Sequence, residues 1–225
     1  MLRIHHLNDS RSHRILWLLE ELEVPYELVS YKRGRDMRAP ESLKAVHPLG
    51  KVPAIEHEGR TLVESGPIVE YLIEYLGGGR LRPTEGSALL RYRFYLHFAE
   101  GSMMPPLLVK LLTTQVRNAS VPFFLKPVVK KIANKIDNTF TNGEIEASFG
   151  FVDDALKDRE WLTGEFSGAD IMMSFPLEAG ASRVDLSRFA RIQDYIKRFQ
   201  SREAYLRALE KGGSYVYGPN VEQGE

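Results

Sequence analysis

The sequence predicts an α/β domain followed by an all-α domain, with the division falling between residues 1–80 and residues 87–225. Three observations carry this expectation. Short strand patterns alternate with helical ones only as far as Gly79. A Gly- and Pro-rich stretch, GGGRLRPTEG over residues 77–86, then interrupts the chain. Beyond it the strand signal disappears and apolar residues recur at helical spacing. The length of 225 residues accommodates two modest domains.

The elements follow in order. Leu2–Leu7 is a short strand, broken by Asn8-Asp9-Ser10. Ile15, Leu18, Leu19 and Leu22 recur at i, i+3, i+4 and i+7, a helix with Glu20, Glu21 and Glu23 off the stripe. Pro25 ends it, and Tyr26–Tyr31 is a second strand, completing a βαβ unit that is expected to be parallel. Residues 32–49 read as loop with one helical turn. Val52–Glu56 and Thr61–Val63 flank His57-Glu58-Gly59-Arg60, a hairpin signal. Ser65 is a favourable N-cap for a helix carrying Ile68, Tyr71, Leu72, Tyr75 and Leu76, which Gly77-Gly78-Gly79 stops.

In the second half, residues 89–116 are rich in Leu, aromatic and Met residues. Leu125, Val128, Val129, Ile132 and Ile136 form one stripe, which Phe123 and Phe124 extend as expected core residues. Lys126, Lys130, Lys131 and Lys135 read as the wet face of that helix. Residues 148–156 continue as helix. Ser167-Gly168-Ala169-Asp170 resembles a capping box, with Asp in place of the usual Glu. Helices follow through Leu209, and the Gly-rich tail from Gly212 is expected to fray.

Composition excludes several kinds of chemistry. There are 30 Lys and Arg against 30 Asp and Glu, so the formal charge is zero. That balance argues against a nucleic-acid partner and gives no reason to expect an anionic membrane surface. Cysteine is absent, which removes disulfides, thiolate metal sites and a cysteine nucleophile together. Any thiol must arrive with a ligand. The opening residues MLRIHHLNDS lack the apolar core of a signal peptide, and no run reaches the length of a membrane helix. A cytoplasmic location is therefore expected. His5 and His6 are neighbours on a strand and point to opposite faces, so no metal centre is expected from them.

Three short segments are candidates for chemistry. Ser10-Arg11-Ser12-His13-Arg14 lies where a strand hands over to a helix. Asn8, Asp9 and Ser10 all suit an N-cap there. Converging amides and the positive end of the helix dipole equally favour an anion, to which a serine hydroxyl can donate. Leu49-Gly50-Lys51-Val52-Pro53 reads either as a plain turn or as a backbone edge on which a peptide-like ligand pairs with Val52. Glu64-Ser65-Gly66 offers an acceptor beside donors, a match for an amino-acid head group that carries both charges.

Taken together and in this order, these segments resemble the cytosolic glutathione S-transferases over essentially the whole chain. The residues that carry the likeness are SRSHRILWLLEEL (residues 10–22), HPLGKVP (47–53), LVESGPI (62–68) and SGADI (167–171). With Ser10 four residues before Arg14, the arrangement is most similar to serine-type bacterial and fungal members. The resemblance implies a thioredoxin-like N-terminal domain, a helical-bundle C-terminal domain, a homodimer, and glutathione as co-substrate without a metal. It also assigns roles: Ser10 to thiol activation, Lys51 to the glycine carboxylate, Val52 to backbone pairing with the cysteinyl unit, Pro53 to the cis-proline, and Glu64 with Ser65 to the γ-glutamyl head. Asn8 and Ser12 are alternatives to Ser10. Serine-type members often carry a histidine before this point; here the segment is Asp36-Met37-Arg38-Ala39, where Arg38 is the available cation.

The reaction expected is conjugation of glutathione to a small, apolar electrophile lying against a wall near Met103 and Met104. A glutathione-dependent peroxidase or disulfide reductase is the alternative, as is a non-catalytic glutathione-binding module, because a fold does not determine a function.

Overall fold

A computed structural model describes residues 1–34, 38–213 and 215–219. Four strands form one sheet: β1 (Leu2–Leu7), β2 (Tyr26–Tyr31), β3 (Ala54–His57) and β4 (Arg60–Val63). Their spatial order is β2-β1-β3-β4. β1 runs parallel to β2 in the register Leu2↔Tyr26 to Leu7↔Tyr31, and antiparallel to β3 through Ile4↔Ile55. This is the thioredoxin-like arrangement. The parallel pair needs a crossover, which α1 (Ser12–Leu22) supplies; the β3–β4 pair needs only the turn at Glu58-Gly59, where both residues have positive φ. β3 begins at Ala54 rather than Val52, since Pro53 has no N–H to give to the ladder; the Val52–Pro53 peptide is cis.

α2 (Ser65–Tyr71) continues through one wide turn to Leu76, and Gly77 donates to the Leu72 carbonyl to end it. The expected cap is corrected here. Ser65 is the first helical residue, and no side chain caps this helix; Glu64 occupies the cap position.

The helical part comprises α3 (Gly86–Phe98), α4 (Met104–Arg117), α5 (Lys126–Ile136), α6 (Asn142–Ala155), α7 (Gly168–Ala181), α8 (Ala190–Gln200) and α9 (Glu203–Gly212). Wide turns at Ala99–Met103 and Asp137–Thr141 join α3 to α4 and α5 to α6. The capping box of α7 forms: Ser167 Oγ accepts from the Ala169 amide at 3.3 Å, and the Asp170 carboxylate accepts from the Ser167 amide at 2.8 Å. Asp170 also accepts from Tyr195 at 2.5 Å and from the Leu162 amide at 3.1 Å.

α1 is buried on nearly every face because it lies between the sheet and the helices. Trp17 packs against Phe166, Phe199 and Tyr205, and its Nε1 donates to Glu21. Of the off-stripe glutamates, Glu23 is exposed, whereas Glu20 and Glu21 face other elements rather than water. Glu21 holds Arg202 through two bonds, and Glu20 holds Arg207, Lys211 and the Tyr26 hydroxyl.

Three packing expectations are corrected. Phe123 and Phe124 lie in solvent, together with Leu125, Val128 and Ile132; Ala133 is the buried residue of α5, with Val129 and Ile136 half-buried. Met103 and Met104 are buried in the core and offer no open wall. Tyr215, in the tail expected to fray, is buried against His13, and the neighbouring Val216 amide donates to Asp9 at 2.7 Å.

Candidate functional site

A cleft of about 210 Å³ opens where the sheet meets the helices. It is lined by Arg11, Leu49, Lys51, Val52, Val63, Glu64, Ser65 and Glu100. Four of the six expected site residues meet there: Lys51, Val52, Glu64 and Ser65. Pro53, next to Val52 in the chain, is buried and does not line the cleft. The loop before β3 supplies the first pair and the β4–α2 corner the second. Two cations and two anions therefore share one opening, a pattern suited to a ligand with charges of both signs.

The β4–α2 corner is held in an uncommon backbone conformation. Glu64 has φ 70°, a region that L-residues other than Asn and Asp seldom occupy. Such a residue costs on the order of 1–3 kcal/mol and persists only where its surroundings fix it, which is characteristic of binding sites. The fixing group is Arg14. Its guanidinium, almost wholly buried, donates to Ser65 Oγ at 2.8 Å and to the Met172 carbonyl of α7 at 2.8 Å, and also pairs with Glu100. One side chain thus ties α1, the corner and the helical part together. The planar fork of arginine makes this possible; a lysine has no such geometry.

Glu100 comes from the wide turn between α3 and α4. Its two carboxylate oxygens each accept from Arg11 Nε at 3.0 Å. Burial alone would raise its carboxyl pKa, but Arg14 and Arg11 outweigh that and hold it below the ordinary 4.5. Arg11 and Glu100 were not assigned as cleft residues by the sequence. Arg11 lies inside the SRSHR segment, and its spacing of three from Arg14 places both on one side of α1. Glu100 arrives from far along the chain and carries no local signal.

Ser10 lies beside the cleft and does not line it. Its hydroxyl donates to the Leu7 carbonyl at 2.7 Å, is 2.8 Å from Ser12 Oγ, and accepts from the Ser12 amide at 3.2 Å. The Ser10 carbonyl accepts from the His13 amide. Ser10 is therefore the residue that satisfies the first amides of α1. Ser12 is fully buried, with its Oγ 2.8 Å from His6 Nδ1. His6 Nε2 faces the Gly212 carbonyl at 3.2 Å, which makes that nitrogen the protonated one and leaves Nδ1 to accept from Ser12. Asn8 is also engaged: its Oδ1 accepts from the Arg33 amide, and its amide group donates to Asp9. Of the segment before the cleft, Asp36 and Met37 lie outside the described residues, and the Arg38 carbonyl accepts from Gly34. No group of three or more metal-binding side chains occurs among the described residues.

Comparison with known proteins bears on the family and the fold. Residues 4–74 match the family model for the glutathione S-transferase N-terminal domain. The chain is 35% identical over 226 residues to glutathione S-transferase 1 of Saccharomyces cerevisiae, covering 94% of this chain and 95% of that one. It is 36% identical over 219 residues to glutathione S-transferase 3 of Schizosaccharomyces pombe, covering 94% and 88%. A solved glutathione S-transferase from Actinobacillus pleuropneumoniae superposes with a TM-score of 0.81 at 30% identity, covering 99% of this chain and 98% of that one. With a sheet-and-helix cleft of this composition and likeness over nearly its full length, the chain belongs to the glutathione S-transferase family of enzymes.

Proposed function

We propose that this transferase is a serine-type member that conjugates glutathione to a small apolar electrophile in the cytoplasm, as a homodimer with a detoxifying role. The observation that carries the reading is the convergence of Lys51, Val52, Glu64 and Ser65 on one cleft at the N-terminus of α1. In this reading Lys51 takes the glycine carboxylate, Val52 pairs with the cysteinyl backbone, and Ser65 with the α2 amides receives the γ-glutamyl carboxylate. Glu64 accepts the ammonium. The thiol then lies at the start of α1.

A thiol of pKa about 8.5 is only a few per cent ionised at pH 7, and each unit of lowering needs about 1.4 kcal/mol of preference for the anion. The dipole of α1 and one hydroxyl bond of roughly 1.5–3 kcal/mol supply that order of energy. The hydroxyl is that of Ser10. It turns from the Leu7 carbonyl to the sulfur, while its oxygen keeps the Ser12 amide as a donor. The thiol proton leaves to solvent. The thiolate forms an S–C bond with the electrophile, and the leaving group departs with its electron pair.

Exposed Leu90, Phe94 and Phe151, with Phe94 and Phe98 stacked, are the apolar surface that supports the homodimer. The deciding experiment is Ser10→Ala assayed at pH 6.5 with an aryl halide, beside a hydroperoxide and a mixed disulfide. The expected result is a ten- to hundredfold lower kcat with glutathione KM little changed. Unchanged turnover would leave Ser10 as a cap alone, and activity confined to the hydroperoxide or disulfide would replace conjugation with glutathione-dependent reduction.

A further inference from the structure

The neutral total charge conceals a strong segregation. Between Glu100 and Asp137 the chain carries six Lys and Arg and no acidic residue. Removing those six leaves 24 Lys and Arg against 30 Asp and Glu elsewhere, so one part of the molecule is basic and the remainder acidic. Two of the six, Lys110 and Arg117, share the buried Asp137 carboxylate as an ion-pair partner. The other four, Lys126, Lys130, Lys131 and Lys135, stand on α5 in solvent, without an ion pair among the described residues.

The apolar residues beside them are exposed too. Phe123 is 82% exposed, Phe124 64%, Val128 54% and Ile132 53%, with Leu125 beside them. They occupy the tip of the α4–α5 hairpin and one side of α5. On a helix of 3.6 residues per turn, Val128 and Ile132 form a stripe that Lys131 and Lys135 border, while Lys126 and Lys130 cover the opposite side. α5 packs chiefly against α4, and the part of its stripe that packing does not cover is this one.

We propose that this tip docks on an anionic lipid bilayer. The lysines meet the headgroup phosphates and carboxylates, and Phe123, Phe124, Leu125, Val128 and Ile132 enter the boundary between headgroups and acyl chains. An amphipathic helix with a lysine-rich polar face and Phe and Leu on the other is built for that plane. The stems of Lys131 and Lys135 reach along the apolar stripe and keep their ammonium groups in the headgroup layer, while Lys126 and Lys130 add positive charge from the far side of the helix. The acidic remainder of the protein is repelled by the same surface, which orients the tip toward it.

Charge separates a bilayer from the other occupants. A second copy seated here through a two-fold interface would set these lysines against their own counterparts, with no carboxylate between them. Nucleic acid would match the lysines but offer nothing to Val128 and Ile132.

The test is co-sedimentation of the full-length protein with phosphatidylcholine vesicles containing about a third phosphatidylserine, and with phosphatidylcholine alone. Two variants accompany it, F123S/F124S and K130E/K131E, all at exposed positions, with melting curves as a check on folding. The expected result is binding to the anionic vesicles that weakens with salt, is absent on phosphatidylcholine alone, and falls about tenfold or more in each variant. Absence of binding overturns the proposal. So does binding that F123S/F124S leaves unchanged, or a gel-filtration shift to smaller size in F123S/F124S without lipid, which would make the tip a contact between copies. Duplex DNA bound more tightly than vesicles, and lost only in K130E/K131E, would replace lipid with nucleic acid. None of these outcomes depends on the glutathione cleft.

Discussion

Glu178 on α7 is a carboxyl group whose titration can be separated from everything else in the molecule by one substitution, Glu178→Gln. It is almost fully buried. Its Oε1 accepts from Tyr205 at 2.5 Å and from Gln200 Nε2 at 2.9 Å, and its Oε2 accepts from Tyr215 at 2.7 Å. Burial pushes its pKa up to about 7 from an ordinary 4.5, against the opposing pull of these three donors and of Arg14. The folded protein therefore binds more protons here than the unfolded chain between pH 4.5 and 7. Stability contributed by this site rises as pH falls through that window and is flat on either side. At about 1.4 kcal/mol per pH unit, the full span amounts to roughly 3 kcal/mol. Glutamine keeps the size and one acceptor but does not titrate.

The measurement is urea unfolding of wild type and Glu178→Gln at fixed protein concentration, at half-unit steps from pH 8 to pH 5. The absolute cost of the glutamine is immaterial, because only the pH dependence of the difference is read. Wild type should gain on the variant by roughly 3 kcal/mol from pH 8 to the acid end, with most of the gain below pH 7. A difference constant to about 0.5 kcal/mol would refute the reasoning, since it would mean that the folded and unfolded carboxyls titrate alike.

His13 and His6 act with the opposite sign: burial pushes them down to about 3 and about 4, so their contribution is complete above pH 6.5 and is lost as pH falls below it. His13→Phe should gain about 2 kcal/mol on wild type between pH 7 and pH 5, read from unfolding midpoints. Gly180→Ala should destabilise by about 1–3 kcal/mol, since a Cβ there would lie 2.2 Å from Phe149 Cζ. Gly150→Ala in α6, where a Cβ meets nothing within 4 Å, should stabilise by about 0.5–1 kcal/mol; thermal melts of the pair check both signs. Arg14→Lys should lose the fork that joins Ser65 to Met172, costing about 1–3 kcal/mol in stability and raising glutathione KM several-fold more than it lowers kcat. Denaturation and steady-state kinetics on the same preparation test it.

What the amino-acid sequence determined by itself was local. The period-2 and period-3.6 patterns placed β1, α1, β2 and the β3–β4 hairpin, because periodicity reports which residues share a face. The Ser167–Asp170 capping box was legible because cap and acceptor are three residues apart, and the absence of cysteine decided that any reactive sulfur is a ligand's. Lys51, Val52, Glu64 and Ser65 were legible as candidates because each lies in a short segment whose chemistry is self-contained.

Tertiary structure alone decided the rest, for one physical reason: burial and pairing belong to the surroundings of a residue. Glu20 and Glu21, off the apolar stripe of α1, became buried partners of arginines almost 200 positions away. Glu100 reached the cleft from the far side of the domain junction. The Ser10 hydroxyl turned inward to the Leu7 carbonyl, and Tyr215 was drawn from the tail onto His13. Phe123 and Phe124 share the pattern of core residues, yet nothing among the described residues packs over the tip of α5. A stripe of apolar residues specifies that a face will be covered, and it does not specify by what.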